Sequence, residues 1–374
     1  MRSMFRSLLI LIVPLFTAIA QHINLPLVEG CTQSPPNCLT RRAIFDIGSG
    51  STKLLYALVN HCEKKIENVI HQNFIPVPYQ ESLDASDNGT LDEKVTETGL
   101  QAIRTLLADC HKKQGPVDEA YGVATAAFRQ AKNGHSVLKK FEEKTGVKVA
   151  IIDQEGEALL GHISVEREQA DPLTPPVVWD IGGGSQQIIA KDATGRFISL
   201  SGAVATETFK KMLIEELHNH DSTLISTANP IGKENISDAF EIAHNILAFP
   251  ARHTTTLYRY MEQAKHQVVG IGAVHDAIVK VIRNDSTTYT KVELMEAVQK
   301  YADYTDEQLM GVAHDTHRKF AGNLLSNIIL VYAMMEAFHI DQVTVKSINA
   351  SDALLLDGLE SDYLKPRTIQ PKAN

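Results

Sequence analysis

Residues 177–189 read Val-Val-Trp-Asp-Ile-Gly-Gly-Gly-Ser-Gln-Gln-Ile-Ile. Two valines and a tryptophan lead into Asp180, three glycines follow, and a second apolar run resumes after Ser185. That is the pattern of two buried strands folded back on a tight glycine turn. Gly182, Gly183 and Gly184 carry no Cβ, so their N–H groups can close on an anion such as phosphate, and Asp180 beside the turn can hold a hydrated divalent cation. The same pattern occurs earlier. From Ala43 the chain reads A-I-F-D-I-G-S-G-S-T-K-L-L-Y-A-L-V, with Asp46, Gly48, Ser49, Gly50 and Ser51 in the corresponding places. A unit of strand, Asp, glycine turn and strand, repeated about a domain's length apart, predicts two related lobes closing on one polyphosphate.

Bulk properties fit that reading. A chain of 374 residues exceeds what one core usually spans, so two domains are expected. The net charge is −9, and without Arg2 and Arg6 of the first 20 residues it is −11, which argues against general binding of nucleic acid or anionic membrane. Residues 1–20 read as a secretory signal: Arg2 and Arg6, an apolar core from Leu8 to Phe16, then Ala18-Ile19-Ala20 as a cleavage site before Gln21. Export, secreted or periplasmic, is therefore expected, with no later segment apolar enough to cross a membrane and no stable membrane insertion after cleavage. The four cysteines are Cys31, Cys38, Cys62 and Cys110; the short, proline-bearing loop makes Cys31–Cys38 the expected pair, with Cys62 and Cys110 as buried free thiols or a second pair.

Residues 21–41 form a polar, proline-containing leader, and a first lobe is expected over 42–170. Strands are predicted over 43–45, 53–60 and 65–76, a helix over 92–114 stopped by Gly115-Pro116, a strand over 121–125, a helix over 136–144, a strand over 147–152 and a helix from Asp153. The linker Asp171-Pro172-Leu173-Thr174-Pro175-Pro176 opens a second lobe, 171–374. It continues through a strand at 197–200, an apolar strand with a glycine turn at Gly270, a helical tail over 292–338 and a last strand at 342–348.

Four motifs in order then resemble the exopolyphosphatase and guanosine-pentaphosphate phosphatase (Ppx/GppA) family: D-I-G-S-G-S at Asp46, A-T-A-A-F-R-Q-A-K-N-G at Ala124, E-G-E-A at Glu155 and D-I-G-G-G-S at Asp180. The resemblance implies an α/β fold of two actin-like (RNase H-like) lobes, in the superfamily of sugar kinases, heat-shock chaperones and actin, with an interlobe cleft. Gln187, where exopolyphosphatases usually carry Glu, and the segment Glu157–Val165 resemble secreted apyrases instead. Near Gly270 the chain has Ala273 and Val274 where the family tends to have glycine and threonine.

Hydrolysis of a terminal phosphoanhydride needs charge neutralisation, a positioned water and a group to deprotonate it. The glycine turns, the hydroxyls of Ser49, Ser51 and Ser185, and Gln187 would hold phosphate. Mg²⁺, held through water by Asp46 and Asp180, would bridge the phosphates. By resemblance Glu157 is the base and Arg129 a phosphate contact, with Thr125 and Lys53 as lesser candidates; Glu155, two residues from Glu157, reads as a solvated helix-start charge. Each turn alone would read as an ordinary hairpin, and Arg129 alone as a surface residue. His314 and His317, one helical turn apart and without an evident third ligand, read as a solvated helix face. Sequons lie at Asn88, Asn235, Asn284 and Asn349. The expected activity is an exported, Mg²⁺-dependent hydrolase of polyphosphate or guanosine pentaphosphate, with an apyrase-like nucleotidase or a non-catalytic polyphosphate or nucleotide sensor as alternatives; the sequence leaves the oligomeric state open, a homodimer being one option.

Overall fold

A computed structural model describes residues 38–168, 175–191, 194–202, 204–247, 257, 267–283, 286–315, 317–348 and 352–359. Residues 1–20, expected to be a secretory signal, Cys31, residues 171–174 of the linker and the sequons at Asn284 and Asn349 lie outside them. The described chain contains two sheets.

In the first sheet β1 (Leu39–Ile47), β2 (Ser51–Asn60) and β3 (Lys65–Pro76) form an antiparallel meander, and β4 (Glu119–Ala124) and β5 (Lys148–Ile151) add in parallel beside β1. β1 starts three residues earlier than the expected lobe boundary. A parallel neighbour requires a crossover, and helices supply it. After the short α1 (Tyr79–Asp84) comes α2 (Glu93–Gln114), started by the Asp92 carboxylate accepting the Val95 N–H at 2.6 Å and stopped by Gly115 at φ 92°. Between β4 and β5 run α3 (Ala126–Gln130) and α4 (Gly134–Thr145), the latter ended by Gly146 at φ 75°. Phe45, Tyr56, Phe128 and Phe141 fill the core under these helices.

The second sheet repeats the plan. β6 (Val177–Ile181), β7 (Gln186–Lys191) and β8 (Phe197–Gly202) form the meander, and β9 (Val268–Ile271) lies parallel to β6. β11 (Gln342–Val345) is parallel to β9, with β10 (Thr288–Thr290) antiparallel at the edge. The orders β3-β2-β1-β4-β5 and β8-β7-β6-β9-β11 correspond strand for strand, so both sheets are RNase H-like and the chain is a duplicated actin-like α/β fold.

Between the sheets runs α5 (Gln154–Glu168). Its Leu160 joins a cluster with Ile44 and Val123 of the first sheet, while Leu159 and Val165 join Val178, Ile189 and Ile271 of the second. A helix buried on two sides needs no polar face there. The second lobe is completed by α6 (Thr206–Met212), α7 (Ile236–Ile246), α8 (Ala273–Ile282), α9 (Lys291–Tyr301), α10 (Asp306–Val312) and α11 (Leu324–Ala337).

Several expectations are corrected here. The single helical tail is broken at Thr305, which caps α10, and again by a 3₁₀ turn over Arg318–Asn323. Phe320–Ala337 is apolar enough over 18 residues to pass for a membrane span, with mean hydropathy 1.3, but 67% of it is buried, because α11 is the core helix of the second lobe. Residues 171–374 do not all belong to the second lobe. The last helix, α12 (Asp352–Asp357), packs Leu354 and Leu355 on the first sheet, and Arg42 and Tyr121 donate to the carbonyls of Leu355 and Leu354 at 2.6 and 2.9 Å. Cys38 pairs with Cys62, not with Cys31. The register that sets Leu39 opposite Asn60 brings the two Cα atoms within 5.4 Å, a separation the sequence spacing does not reveal. Cys110 is a buried free thiol. His314 and His317 share no helix; His317 bonds the Asp276 carboxylate at 2.6 Å.

Candidate active site

The two glycine turns have the same geometry. Gly48 N–H donates to Ser51 O and Gly182 N–H to Ser185 O, each at 3.0 Å. Pairing then sets Asp46 opposite Lys53 and Asp180 opposite Gln187. Among the described residues, the amides of Ser49, Gly50, Gly183 and Gly184 donate to no protein group. These are unsatisfied backbone donors at the tips of both turns, the groups from which an anion-binding nest is built.

The turns face each other. A Cβ at Gly184 would meet Ser49 Oγ at 2.5 Å and the methyl of Ala126 at 3.3 Å, so only glycine lets the second turn approach the first this closely. At Gly50, by contrast, a Cβ would find nothing within 4 Å. Ser49, Ser51 and Ser185 are buried against the turns, and Thr125, also buried, follows β4 with its N–H on Ile47 O at 3.1 Å.

Arg129 and Glu157 meet at this junction. Arg129 Nη1 donates to Glu157 Oε2 at 2.8 Å and to Ile152 O at 3.0 Å, and Nη2 reaches Ser185 Oγ in the other lobe at 3.5 Å. Arg129 is thus largely buried, not a surface residue. Glu157 sits in the first turn of α5, where the Asp153 carboxylate accepts the Gly156 N–H at 2.7 Å. Glu155 is exposed on the other side of the turn.

The electrostatics follow from crowding. Burial raises the Glu157 pKa against the opposing pull of Arg129. Burial, followed by the charge of Glu157, pushes Asp180 up to about 7. Lys53, bonded to Asp46 Oδ2 at 3.2 Å, is held above its usual value chiefly by that carboxylate. Asp46 and Asp180 offer oxygen ligands suited to a hard divalent cation. No three His, Cys, Asp or Glu side chains converge on one metal position among the described residues, so such an ion would keep most of its water.

The structure places Asp46, Lys53, Asp180 and Gln187 at the two turns and Arg129 and Glu157 between them, and adds others. Lys53 stands in the first hairpin where Gln187 stands in the second. The glycine of the β9 turn that matters is Gly272, not Gly270: its φ is 86°, and a Cβ there would meet Asp180 Oδ1 at 2.8 Å. Gly270 lies within β9, packed on His275. Glu207, at the start of α6, donates its N–H to Gly183 O at 3.0 Å and accepts from Asn323 at 2.5 Å, bracing the second turn. No local motif marks Glu207. Gly272 was legible only as the second glycine of Val-Val-Gly-Ile-Gly.

Two hairpin-led lobes with facing glycine turns and a carboxylate–arginine pair between them define a phosphate-handling protein of the actin-like fold. The profile of the Ppx/GppA phosphatase family matches residues 80–361, three quarters of the chain, and the protein belongs to that family. Among solved structures it is similar to the Ppx/GppA enzyme of Aquifex aeolicus, with 18% identity and a TM-score of 0.62 over 85% of this chain and 99% of that one. It is similar also to an exopolyphosphatase from Cytophaga hutchinsonii, with 16% identity and a TM-score of 0.64 over 84% and 96%. Among curated sequences, a bifunctional 3-dehydroquinate synthase/phosphatase of Fusobacterium nucleatum is 29% identical over 216 residues, 53% of this chain and 30% of that protein. An uncharacterized protein of Streptomyces coelicolor is 27% identical over 150 residues, 40% of this chain and 42% of that one. The matches span less than half the length of these two relatives.

Proposed function

We propose that this protein is an exported, Mg²⁺-dependent phosphoanhydride hydrolase that removes the terminal phosphate of polyphosphate or guanosine pentaphosphate by in-line attack of water. The observation that carries the reading is that two turns bearing four unpartnered amides face each other, and that Arg129, paired with Glu157, reaches Ser185 of the second turn. The amides and Arg129 neutralise the phosphoryl oxygens, and Glu157, its pKa raised toward the working range of a general base, accepts the proton of the attacking water. Mg²⁺ held by Asp46 and Asp180 would offset the remaining phosphate charge. Export is supported by the signal-like residues 1–20 and by the Cys38–Cys62 disulfide, which belongs in an oxidising compartment. Gln187, in place of the exopolyphosphatase Glu, favours as a second reading an apyrase-like nucleotidase.

The test is phosphate release with Mg²⁺ from polyphosphate, guanosine pentaphosphate, ATP and ADP side by side, with Glu157→Gln as control. Release abolished by the substitution supports a hydrolase, and the preferred substrate chooses between the readings. Tight binding of all four without release, by the unsubstituted protein, would leave a sensor.

A further inference from the structure

Ser185 carries one hydroxyl proton and two lone pairs. Its Oγ accepts from Gln187 Nε2 at 3.1 Å and from Arg129 Nη2 at 3.5 Å. Both neighbours are donors here, and the guanidinium can be nothing else. With its lone pairs taken, the hydroxyl proton has no acceptor among the described residues. It is left to donate toward the space between the turns, where Gly184 and Ser49 face each other.

Gln187 itself is 2% exposed and pairs opposite Asp180 in the β6–β7 hairpin, with its amide nitrogen on Ser185 Oγ. We infer that Gln187 is a positioning residue that fixes the polarity of the Ser185 hydroxyl, making it a proton donor to the phosphoryl group; this rests on the hydrolase reading above. A carboxylate at 187 would accept the Ser185 proton and turn it away from the substrate. The matching position of the first hairpin is occupied by Lys53, a donor that cannot accept, and it donates to Asp46 Oδ2 at 3.2 Å. The two positions are thus used differently, Lys53 on a carboxylate and Gln187 on the turn hydroxyl, and a glutamine rather than a glutamate at 187 has a direct chemical consequence.

The experiment compares Gln187→Glu, Gln187→Met, Ser185→Ala and the double variant Ser185→Ala/Gln187→Glu for phosphate release from ATP and tripolyphosphate, and for tripolyphosphate affinity by calorimetry. Losing a hydrogen bond to a charged group predicts that Gln187→Glu lowers kcat/KM and affinity about 10- to 100-fold. Gln187→Met, which neither holds the hydroxyl nor captures its proton, loses about three- to tenfold, less than Gln187→Glu, and Gln187→Glu costs nothing further once Ser185 is alanine. A merely structural role would make Met as damaging as Glu, and a charge effect of the new carboxylate would persist in the Ser185→Ala background; either result overturns the inference. If the unsubstituted protein releases no phosphate from any substrate, the hydrolase reading falls, and the same four comparisons on tripolyphosphate affinity still decide the role of Gln187.

Discussion

Gly184→Ala is the substitution that asks whether the two turns touch. The added methyl would sit 2.5 Å from Ser49 Oγ, 3.3 Å from Ala126 Cβ and 3.4 Å from Ser49 Cβ. The first contact is impossible as it stands. Rotating Ser49 away relieves it at about 0.5–1.5 kcal/mol for an unfavourable side-chain torsion, but the two remaining contacts are already tight and leave little room to part the turns. Inserting a methyl into a packed junction costs about 1–3 kcal/mol, so about 1–2 kcal/mol is expected here. Trp179, the only tryptophan, is buried in β6 beside Asp180, and its fluorescence reports unfolding of the lobe that carries Gly184. Four proteins complete a cycle: wild type, Gly184→Ala, Ser49→Ala and the double variant. With Ser49 Oγ removed the nearest atoms lie at 3.3–3.4 Å, so most of the penalty disappears and a coupling of about 1 kcal/mol appears. Stability is the readout because Ser49 is also a candidate phosphate contact. Gly50→Ala, at the tip of the first turn with nothing within 4 Å, is the control and changes stability by no more than about 0.5 kcal/mol. Equal effects of Gly184→Ala and Gly50→Ala, or strict additivity with Ser49→Ala, would refute the close approach on which the phosphate nest depends.

Glu157→Gln keeps an oxygen for the Arg129 N–H and removes a charge that burial disfavours, so it is expected to cut kcat about 10²- to 10⁴-fold while leaving the unfolding midpoint unchanged or higher; a large fall in the midpoint would mark Glu157 as a structural residue. The folded-state pKa of Asp180 is raised from 3.8 to about 7, so its stabilising contribution is full below pH 4 and is lost as pH rises through 7. Metal-free protein should therefore lose thermal stability across that window, and Asp180→Asn, followed over the same pH range, should flatten the slope; an unchanged slope refutes the assignment. Leu354→Ala empties a fully buried site between α12 and the first sheet and should cost about 2–5 kcal/mol in denaturant unfolding, whereas a loose α12 would give less than about 1 kcal/mol.

The parts of this fold that were legible are those encoded within a few residues. Asp-Ile-Gly followed by a small polar run specifies a hairpin turn locally, so both turns, and with them the duplication, could be read directly. Asp92 and Gly115 bracket α2 for the same reason. What stayed hidden depends on register or on distant packing. The partner of Cys38 is fixed by the pairing of β1 with β2, and nothing in the spacing of the cysteines distinguishes Cys62 from Cys31. The return of α12 to the first sheet rests on Leu354 meeting Ile44 and Leu160, residues separated by most of the chain. Arg129 and Glu157 could each be singled out by resemblance, but that the guanidinium spans both lobes, touching Glu157 on one side and Ser185 on the other, is a tertiary fact.

The charge at the junction explains why the site is built largely from backbone. Asp46, Glu157 and Asp180 outnumber Lys53 and Arg129, and the chain as a whole is acidic, yet the ligand read from the turns is itself an anion. More lysine and arginine would neutralise the phosphate but would also depress the carboxylate pKa values and so weaken Glu157 as a base. Backbone amides escape that conflict: on the hydrolase reading, four N–H dipoles would stabilise phosphoryl oxygens without adding a full positive charge beside Glu157. The cost falls on the sequence near the turns. Gly184 must lack a Cβ to approach Ser49, and Gly272 must adopt positive φ beside Asp180. Arg129 supplies its one full charge shared between Glu157 and Ser185, with Ile152 O also accepting from Nη1. The Asp180 carboxylate, destabilised by burial and by its neighbour Glu157, is the group that would gain most from an arriving cation.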